Sequence, residues 1–330
     1  MALLVLPTII FGNFTLDISV ILVSYNTIEM TKMALSHLDA SSHEIEMEVI
    51  IVDNDSKDHS AEVLRSEYPQ ITLIENKKNV GFGRANNQAL PQINGRYVLL
   101  LNTDAFVQPD TIEKTIRYMD ENPQCGILGV KLLGRDGALQ PSCRYFPTPW
   151  NIFLKRTGLK RFFQRAVMVD DMSWDHDSVR ECDWVPGCYY LIRKEVIDQV
   201  GLMDPRYFLY YEEIDHCFAA KRAGWQVTYF PYSSVVHIGG ESAKSEGEIT
   251  SSGRQIESLK IESELLYFYK NHGVSTVVAD VFLSTLADGI QMLKDTVKLR
   301  RPRWILAHFD HSILMWKCFF RTRMGKQPTR

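Results

Sequence analysis

Three short runs in the first third of the chain, Ile18–Val23, Val49–Val52 and Tyr97–Leu101, are almost continuously apolar and rich in branched side chains. Such runs predict strands buried on both faces of a parallel sheet. Between them, Met30, Met33, Ala34, Leu35 and Leu38 recur at helical spacing, and after Ser60 a shorter segment turns Ala61, Val63 and Leu64 inward. The order β-α-β-α-β implies right-handed crossovers, so the chain reads as α/β with a doubly wound, mostly parallel sheet. Ligands of such sheets bind beyond the carboxyl ends of the strands. Those ends read Ser24-Tyr-Asn26, Asp53-Asn-Asp-Ser56 and Asn102-Thr-Asp104, three polar clusters expected to meet at one crevice.

Farther along, Pro109-Asp-Thr-Ile-Glu113 has the form of a capping box, which gives Asp110 a structural role. Residues 125–200 alternate strand-like pieces with loops, and Trp184–Ile192 reads as a turn feeding a buried strand. A helix is predicted from about Glu212 to Ala223, closed by Gly224. Gly239–Gly253 is rich in Gly, Ser and Glu, the composition of a mobile loop. The apolar opening Met1–Phe14 lacks the basic leader of a cleaved signal peptide. Val277–Leu293 and Trp304–Phe320 are apolar enough to raise the question of a membrane span. They carry Asp280, Asp288, Asp310 and two histidines, which a lipid-facing helix does not readily accept.

Composition sharpens this picture at two points. With 330 residues, 45% hydrophobic and 23% charged, the chain belongs with globular proteins and suits one large α/β domain with an appendage. The net charge of -3 hides an asymmetry: residues 294–330 hold ten Lys or Arg against two Asp, leaving 27 basic and 38 acidic residues elsewhere. There Lys298-Leu-Arg-Arg-Pro-Arg-Trp304 precedes a run of aliphatic and aromatic residues ending at Phe319 and Phe320, as in helices that lie on membrane surfaces. The competing expectations are packing on the body, or a homodimer through the C-terminal helices. Six cysteines without a CxxC pair suggest neither zinc nor a disulfide framework and fit reduced thiols in cytoplasm. No nucleic-acid partner is expected.

Four constellations could carry chemistry. Asp104 could supply a counter-charge to a pyrophosphate through Mg2+ or Mn2+, ions often held by one or two protein carboxylates with phosphate oxygens completing the shell; the bland alternative is a turn cap. Glu212, Glu213 and Asp215 open the helix that follows Tyr210 and Tyr211, where the helix dipole alone favours acids. A carboxylate there could equally accept a proton from an alcohol, and Glu213 is the choice. His237, before Gly239 and Gly240, is either a ligand or a structural histidine. The loop Asn79-Val-Gly-Phe-Gly-Arg-Ala-Asn-Asn87 suits backbone amides and Arg84 to a phosphate or base, though it lacks the full dinucleotide fingerprint, which argues against a nicotinamide dehydrogenase. Trp184, Tyr189 and Tyr210 either stack on sugars or belong to the core.

In order and spacing, Val-Ser-Tyr-Asn (23–26), Val-Asp-Asn-Asp-Ser (52–56), the 79–87 loop, Leu-Asn-Thr-Asp (101–104), Gly-Leu-Met-Asp (201–204), Tyr-Glu-Glu-Ile-Asp (211–215) and His-Ile-Gly-Gly (237–240) resemble family 2 glycosyltransferases of the GT-A fold, over roughly residues 16–272. Bacterial rhamnosyltransferases of O-antigen and capsule assembly are the most similar in pattern. The resemblance implies a GT-A domain over 1–272, with a nucleotide-binding part at about 16–104, an acceptor and catalytic part at about 105–272, and a basic amphipathic helical tail over 273–330. It implies that Ser24, Asp53 and Asp55 hold the base and ribose, that Arg84, Asn86, Asn102 and Asp104 line the donor pocket, and that Asp104 and His237 hold the metal. Glu213 falls at the catalytic base, with Trp184, Glu212 and Asp215 toward the acceptor. The implied reaction is inverting transfer of a sugar to a hydroxyl of a polyprenyl-linked bacterial glycan. The donor would be dTDP-rhamnose, or alternatively a UDP-hexose or UDP-galactofuranose, and the location the cytoplasm or the inner face of its membrane. Two departures stand out: Asn102 occupies the first place of the usual Asp-x-Asp, and the base position holds Glu where Asp is common. A nucleotidyltransferase and a non-catalytic glycan-binding protein are the alternatives.

Overall fold

The computed structural model describes residues 16–41, 45–239 and 253–330, so the readings of Met1–Phe14 and of the stretch between Gly239 and Gly253 lie outside the described residues. The three apolar runs are β1 (Leu16–Ser24), β2 (Met47–Asp53) and β4 (Gly95–Leu101), each buried over most of its length. They pair in parallel in the order β2-β1-β4, with Ser24 level with Asp53, so their carboxyl ends finish at one edge. A further strand, β3 (Thr72–Glu75), extends this half beyond β2. It was not among the predicted runs, because four residues at an edge, partly exposed on both sides, lack the buried pattern.

Beyond β4 the sheet becomes mixed. β9 (Tyr189–Arg193) runs antiparallel between β4 and β6 (Cys125–Leu133), and β10 (Gln226–His237) pairs in parallel with β6 and antiparallel with β5 (Ala105–Val107). The order β3-β2-β1-β4-β9-β6-β10-β5 keeps the expected α/β architecture with helices on both faces. The short strands β7 (Leu139–Gln140) and β8 (Arg180–Cys182) flank it.

Helix α1 (Ile28–Ala40) buries Thr31, Ala34, Leu35 and Leu38 as the spacing requires, but Met33 points to solvent. The capping-box reading of Asp110 needs correction. Asp110 does precede α4 (Thr111–Glu121), yet its side chain makes no cap hydrogen bond and instead pairs with Lys114 at 2.6 Å. Its backbone, at φ -102 and ψ 2, lies outside the extended region that aims a capping side chain at the first-turn amides.

The helix that carries the acidic cluster, α7 (Glu212–Arg222), ends at Ala223 and Gly224, whose φ of 97 suits only glycine comfortably. Buried His216 anchors it. The Gly201 carbonyl can only accept, so His216 Nε2–H donates to it (3.0 Å), leaving Nδ1 to accept from the Tyr190 hydroxyl (2.9 Å). Burial, the main cause, pushes this histidine from 6.5 down to about 4. The unfolded chain therefore binds the extra proton first as pH falls. Stability from this group is complete above pH 6.5 and lost toward pH 4, by about 3 kcal/mol. Denaturant melts across that range should show the loss, and a His216→Gln variant should have a flatter profile.

Three helices close the chain: α8 (Gly253–His272), α9 (Val274–Val297) and α10 (Pro302–Arg321). They are not free of the body. Buried Asp288 on α9 pairs with Arg156 of α5 (Pro149–Thr157) and accepts from Ser312 of α10 (2.7 Å). Asp215 of α7 accepts from Lys270 (2.5 Å) and Asn271 (2.7 Å) of α8. By length and composition alone α9 could cross a membrane, but Asp280, Asp288 and Asp295 are turned into the protein.

Candidate active site

A cavity of about 700 Å³ opens beyond the carboxyl ends of β1, β2 and β4, walled by α5, α7 and α8. Strand alternation decides what faces it: Val23 and Tyr25 line the wall and Ser24 does not; Asn54 lines it and Asp53 does not. Asn54 also builds the adjoining loop. Its Oδ1 accepts from the Val80 amide (3.0 Å), while its Nδ2 donates to Asn79 Oδ1 (2.9 Å), which also receives the Gly81 amide (2.9 Å). Gly81, at φ 90, lies so close to Phe208 that a Cβ would sit 2.4 Å from its carbonyl oxygen. This turn starts α3 (Phe82–Gln88) and brings Phe82 to the cavity.

Asp104 and His237 meet through strand register. His237 lies opposite Ala105 in the β5–β10 pair, and Ile238 N–H donates to the Asp104 carbonyl (3.0 Å). His237 Nε2 is thereby 3.6 Å from Asp104 Oδ1, and both side chains line the cavity. Gln140 on β7 settles the imidazole tautomer. Its amide nitrogen must be the end that donates to the His237 carbonyl (2.9 Å), so its oxygen faces His237 Nδ1 (3.0 Å) and can only accept. Nδ1 therefore carries the proton and Nε2 turns a lone pair toward Asp104. Burial, opposed by Asp104, lowers the histidine's pKa and favours this neutral form. Two donors aimed at a common point, one carboxylate and one imidazole, fit a divalent ion such as Mn2+ whose shell is completed by phosphate and water. No cluster of three or more acidic, His or Cys ligands exists among the described residues, so a bound ion would rely on its substrate's oxygens.

Glu212 and Glu213 enter from the start of α7. The two residues before them, Tyr210 and Tyr211, both have φ 72, an uncommon conformation for bulky side chains that the surroundings must hold in place. The Tyr211 hydroxyl donates to Glu264 (2.6 Å) and Lys260 lies 4.9 Å from the Tyr210 ring centre, both partners from α8. Glu212 is 1% exposed and leaves Oε1 without a hydrogen-bond partner, while Glu213 is more open. Burial, reinforced by Glu213, drives the Glu212 pKa well up. Glu213 is also raised by burial, but its backbone amide and Arg144 favour its charged form. Of the two neighbours, Glu212 keeps the proton and Glu213 is the carboxylate presented to the cavity.

The remaining predicted residues divide. Asn102 lines the cavity and holds the turn, its amide donating to the Cys188 carbonyl (3.1 Å). Trp184 contributes to the wall from the core, with its indole N–H on the Tyr145 carbonyl (2.9 Å) and the Arg144 guanidinium 4.0 Å from its ring centre. Asp53 lies behind Asn54, one oxygen accepting from the Ser56 amide (3.1 Å) and the other buried without a partner. Five placements depart from expectation. Arg84 is spent on the Pro205 and Arg330 carbonyls, and Asn86 is buried with its amide on the Phe82 carbonyl. Asp55 pairs with Lys57, and Asp215 is taken by α8. Ser24 joins a hydroxyl cluster with Thr27 and Thr31 rather than the cavity. Arg144, Lys260 and Glu264 line the site without having been singled out.

Against known proteins, the family description "Glycosyl transferase family 2" matches residues 19–181. An N-acetylglucosaminyl-diphospho-decaprenol L-rhamnosyltransferase of Mycobacterium tuberculosis is 28% identical over 57% of this chain. The match spans 66% of that relative's length, just under two thirds. Rhamnosyltransferase WbbL of Escherichia coli is 25% identical over 68% of this chain and 85% of its own. Among solved structures, mannosyltransferase PcManGT from Pyrobaculum calidifontis, in complex with GDP-Man and Mn2+, aligns at a TM-score of 0.55 and 14% identity over 96% of this chain and 91% of that one, a likeness of fold. The family match runs from within β1 to within β8, the relatives continue past it, and the sheet has the fold of a glycosyltransferase. Residues 19–181 belong to glycosyl transferase family 2, and rhamnosyltransferases are among the proteins this chain is similar to.

Proposed function

We propose that the chain transfers a sugar from a nucleoside diphosphate to an acceptor hydroxyl with inversion at the anomeric carbon. The observation that carries this reading is that Asp104, His237 and Glu213 face one cavity at the carboxyl edge of the sheet. Glu213 takes the proton as the acceptor oxygen bonds to the anomeric carbon from the face opposite the leaving group. The bond from that carbon to the diphosphate oxygen breaks, and the nucleoside diphosphate leaves with its electron pair. Asp104 and His237 would hold the divalent ion, which when bound neutralises charge on the diphosphate.

The sugar is L-rhamnose, supported by the names of two relatives, and we assign thymidine diphosphate as its carrier; UDP-hexose and UDP-galactofuranose are the alternatives to test. The acceptor is a glycan on a polyprenyl diphosphate, supported by the mycobacterial relative's name, and would be met at the inner face of the cytoplasmic membrane. A thermal-shift screen of these donors with and without Mg2+ or Mn2+ tests the reading, since a ligand preferring the folded state raises the melting point. A metal-dependent shift with dTDP-rhamnose is expected; no shift with any nucleotide sugar would remove the assignment.

Gln140 has a testable part in this scheme. Gln140→Leu removes the acceptor that keeps the proton on His237 Nδ1, and should weaken Mn2+ binding about 10–100-fold in calorimetry with nucleoside diphosphate present. Unchanged Mn2+ affinity would dismiss Gln140 as a positioning residue.

A further inference from the structure

We propose that the outer face of α9 and α10 seats the protein on an anionic lipid bilayer. An ordinary surface helix turns acids outward and apolar groups inward; α9 does the reverse. Asp280, Asp288 and Asp295 lie on its buried side. At 100° per residue, Val274, Val278, Phe282, Leu286, Leu293 and Val297 share one stripe on the opposite side, which contains no charged residue. Phe282 is 64% exposed, Leu293 67% and Val297 74%. On α10, Leu306, Phe309, Ile313, Trp316 and Phe320 recur at alternating intervals of three and four and are likewise exposed. The two stripes adjoin, because the Trp316 indole donates to Thr285 at the margin of the α9 stripe (3.2 Å).

The turn between these helices argues for a bilayer as the occupant. Leu299, at φ 50, is 92% exposed at its tip, with Trp304 close behind. Around them Lys298, Arg300, Arg301 and Arg303 are all exposed. Apolar and aromatic groups rimmed by cations match the acyl boundary and the anionic headgroups of a bilayer surface. The cation rim complements neither a neutral partner nor a second copy, which would bring like charges together.

The position serves the site. Arg156, which lines the cavity, reaches α9 at Asp288, so the lipid-facing stripe lies about one helix diameter from the catalytic chamber. The inference deepens the proposed transfer to a lipid-linked acceptor and rests on that reading for its purpose, but its test needs no transfer.

The full chain should float with vesicles of phosphatidylglycerol and phosphatidylethanolamine, and much less with phosphatidylcholine alone. Joint replacement of Phe282, Leu286, Phe309 and Phe320 by Ser, all exposed positions, should lower partitioning at least roughly tenfold without changing the melting temperature appreciably. Joint Arg300→Ser, Arg301→Ser and Arg303→Ser should weaken binding to the anionic vesicles selectively. Wild-type protein that fails to float, or flotation undiminished in both variants, would overturn the proposal. So would light scattering that shows a dimer dissociated by the serine substitutions, because a second copy would then be the occupant. Donor-dependent thermal shifts unchanged in these variants would show that the failure lies with the surface and not with the site.

Discussion

Glu213→Gln is expected to slow sugar transfer by roughly 10²–10⁴-fold, the usual contribution of a positioned base, while donor binding stays within about twofold of wild type. The replacement keeps the shape and the amide-bonded start of α7 but leaves nothing to receive the acceptor's proton. The pH profile gives an independent reading. Burial raises Glu213 above its ordinary 4.5, and transfer needs the ionised form. The rate should therefore fall as pH drops through a value above 4.5, and that acid limb should vanish from the residual activity of the variant. Glu212→Gln should cost less, since Glu212 already holds its proton; a larger loss there than at Glu213 would exchange their roles. Sustained turnover by Glu213→Gln would take it out of the mechanism.

Asp104→Asn is the second large effect. The variant loses the carboxylate that lies 3.6 Å from His237 Nε2 and offers a neutral oxygen in its place. The bond that shapes the turn, Ile238 N–H to the Asp104 carbonyl, belongs to the backbone and survives, so folding should be preserved. Calorimetry with dTDP-rhamnose and Mn2+ should show affinity lower by more than the ~10–100-fold that loss of an outer partner costs, with little change when metal is omitted. Equal binding of the two proteins in Mn2+ would separate Asp104 from the metal.

The sheet's first half was legible because buried parallel strands leave continuous apolar runs, and the motifs at their ends survive as short words in the sequence. Which residue of each word faces the cavity was harder to read. Alternation along β1 and β2 hands the wall to Tyr25 and Asn54 instead of Ser24 and Asp53. On α7 a residue two places on is turned by 200°, which sends Asp215 to Lys270 while Glu213 faces the chamber. Arg84 was misplaced because the turn at Gly81 rotates α3 to present Phe82. No local pattern brings Lys260 and Glu264 to the site; they arrive because α8 packs over Tyr210 and Tyr211. The apolar tail was visible as composition, whereas its inverted face required knowing that Asp280 and Asp288 point inward.

The most direct measurement is proton and phosphorus magnetic resonance of a reaction supplied with dTDP-rhamnose, Mn2+ and a short-chain lipid-linked glycan. The account predicts release of thymidine diphosphate and a new glycosidic bond of inverted anomeric configuration. Pyrophosphate release, or a product that retains the donor's configuration, would contradict it.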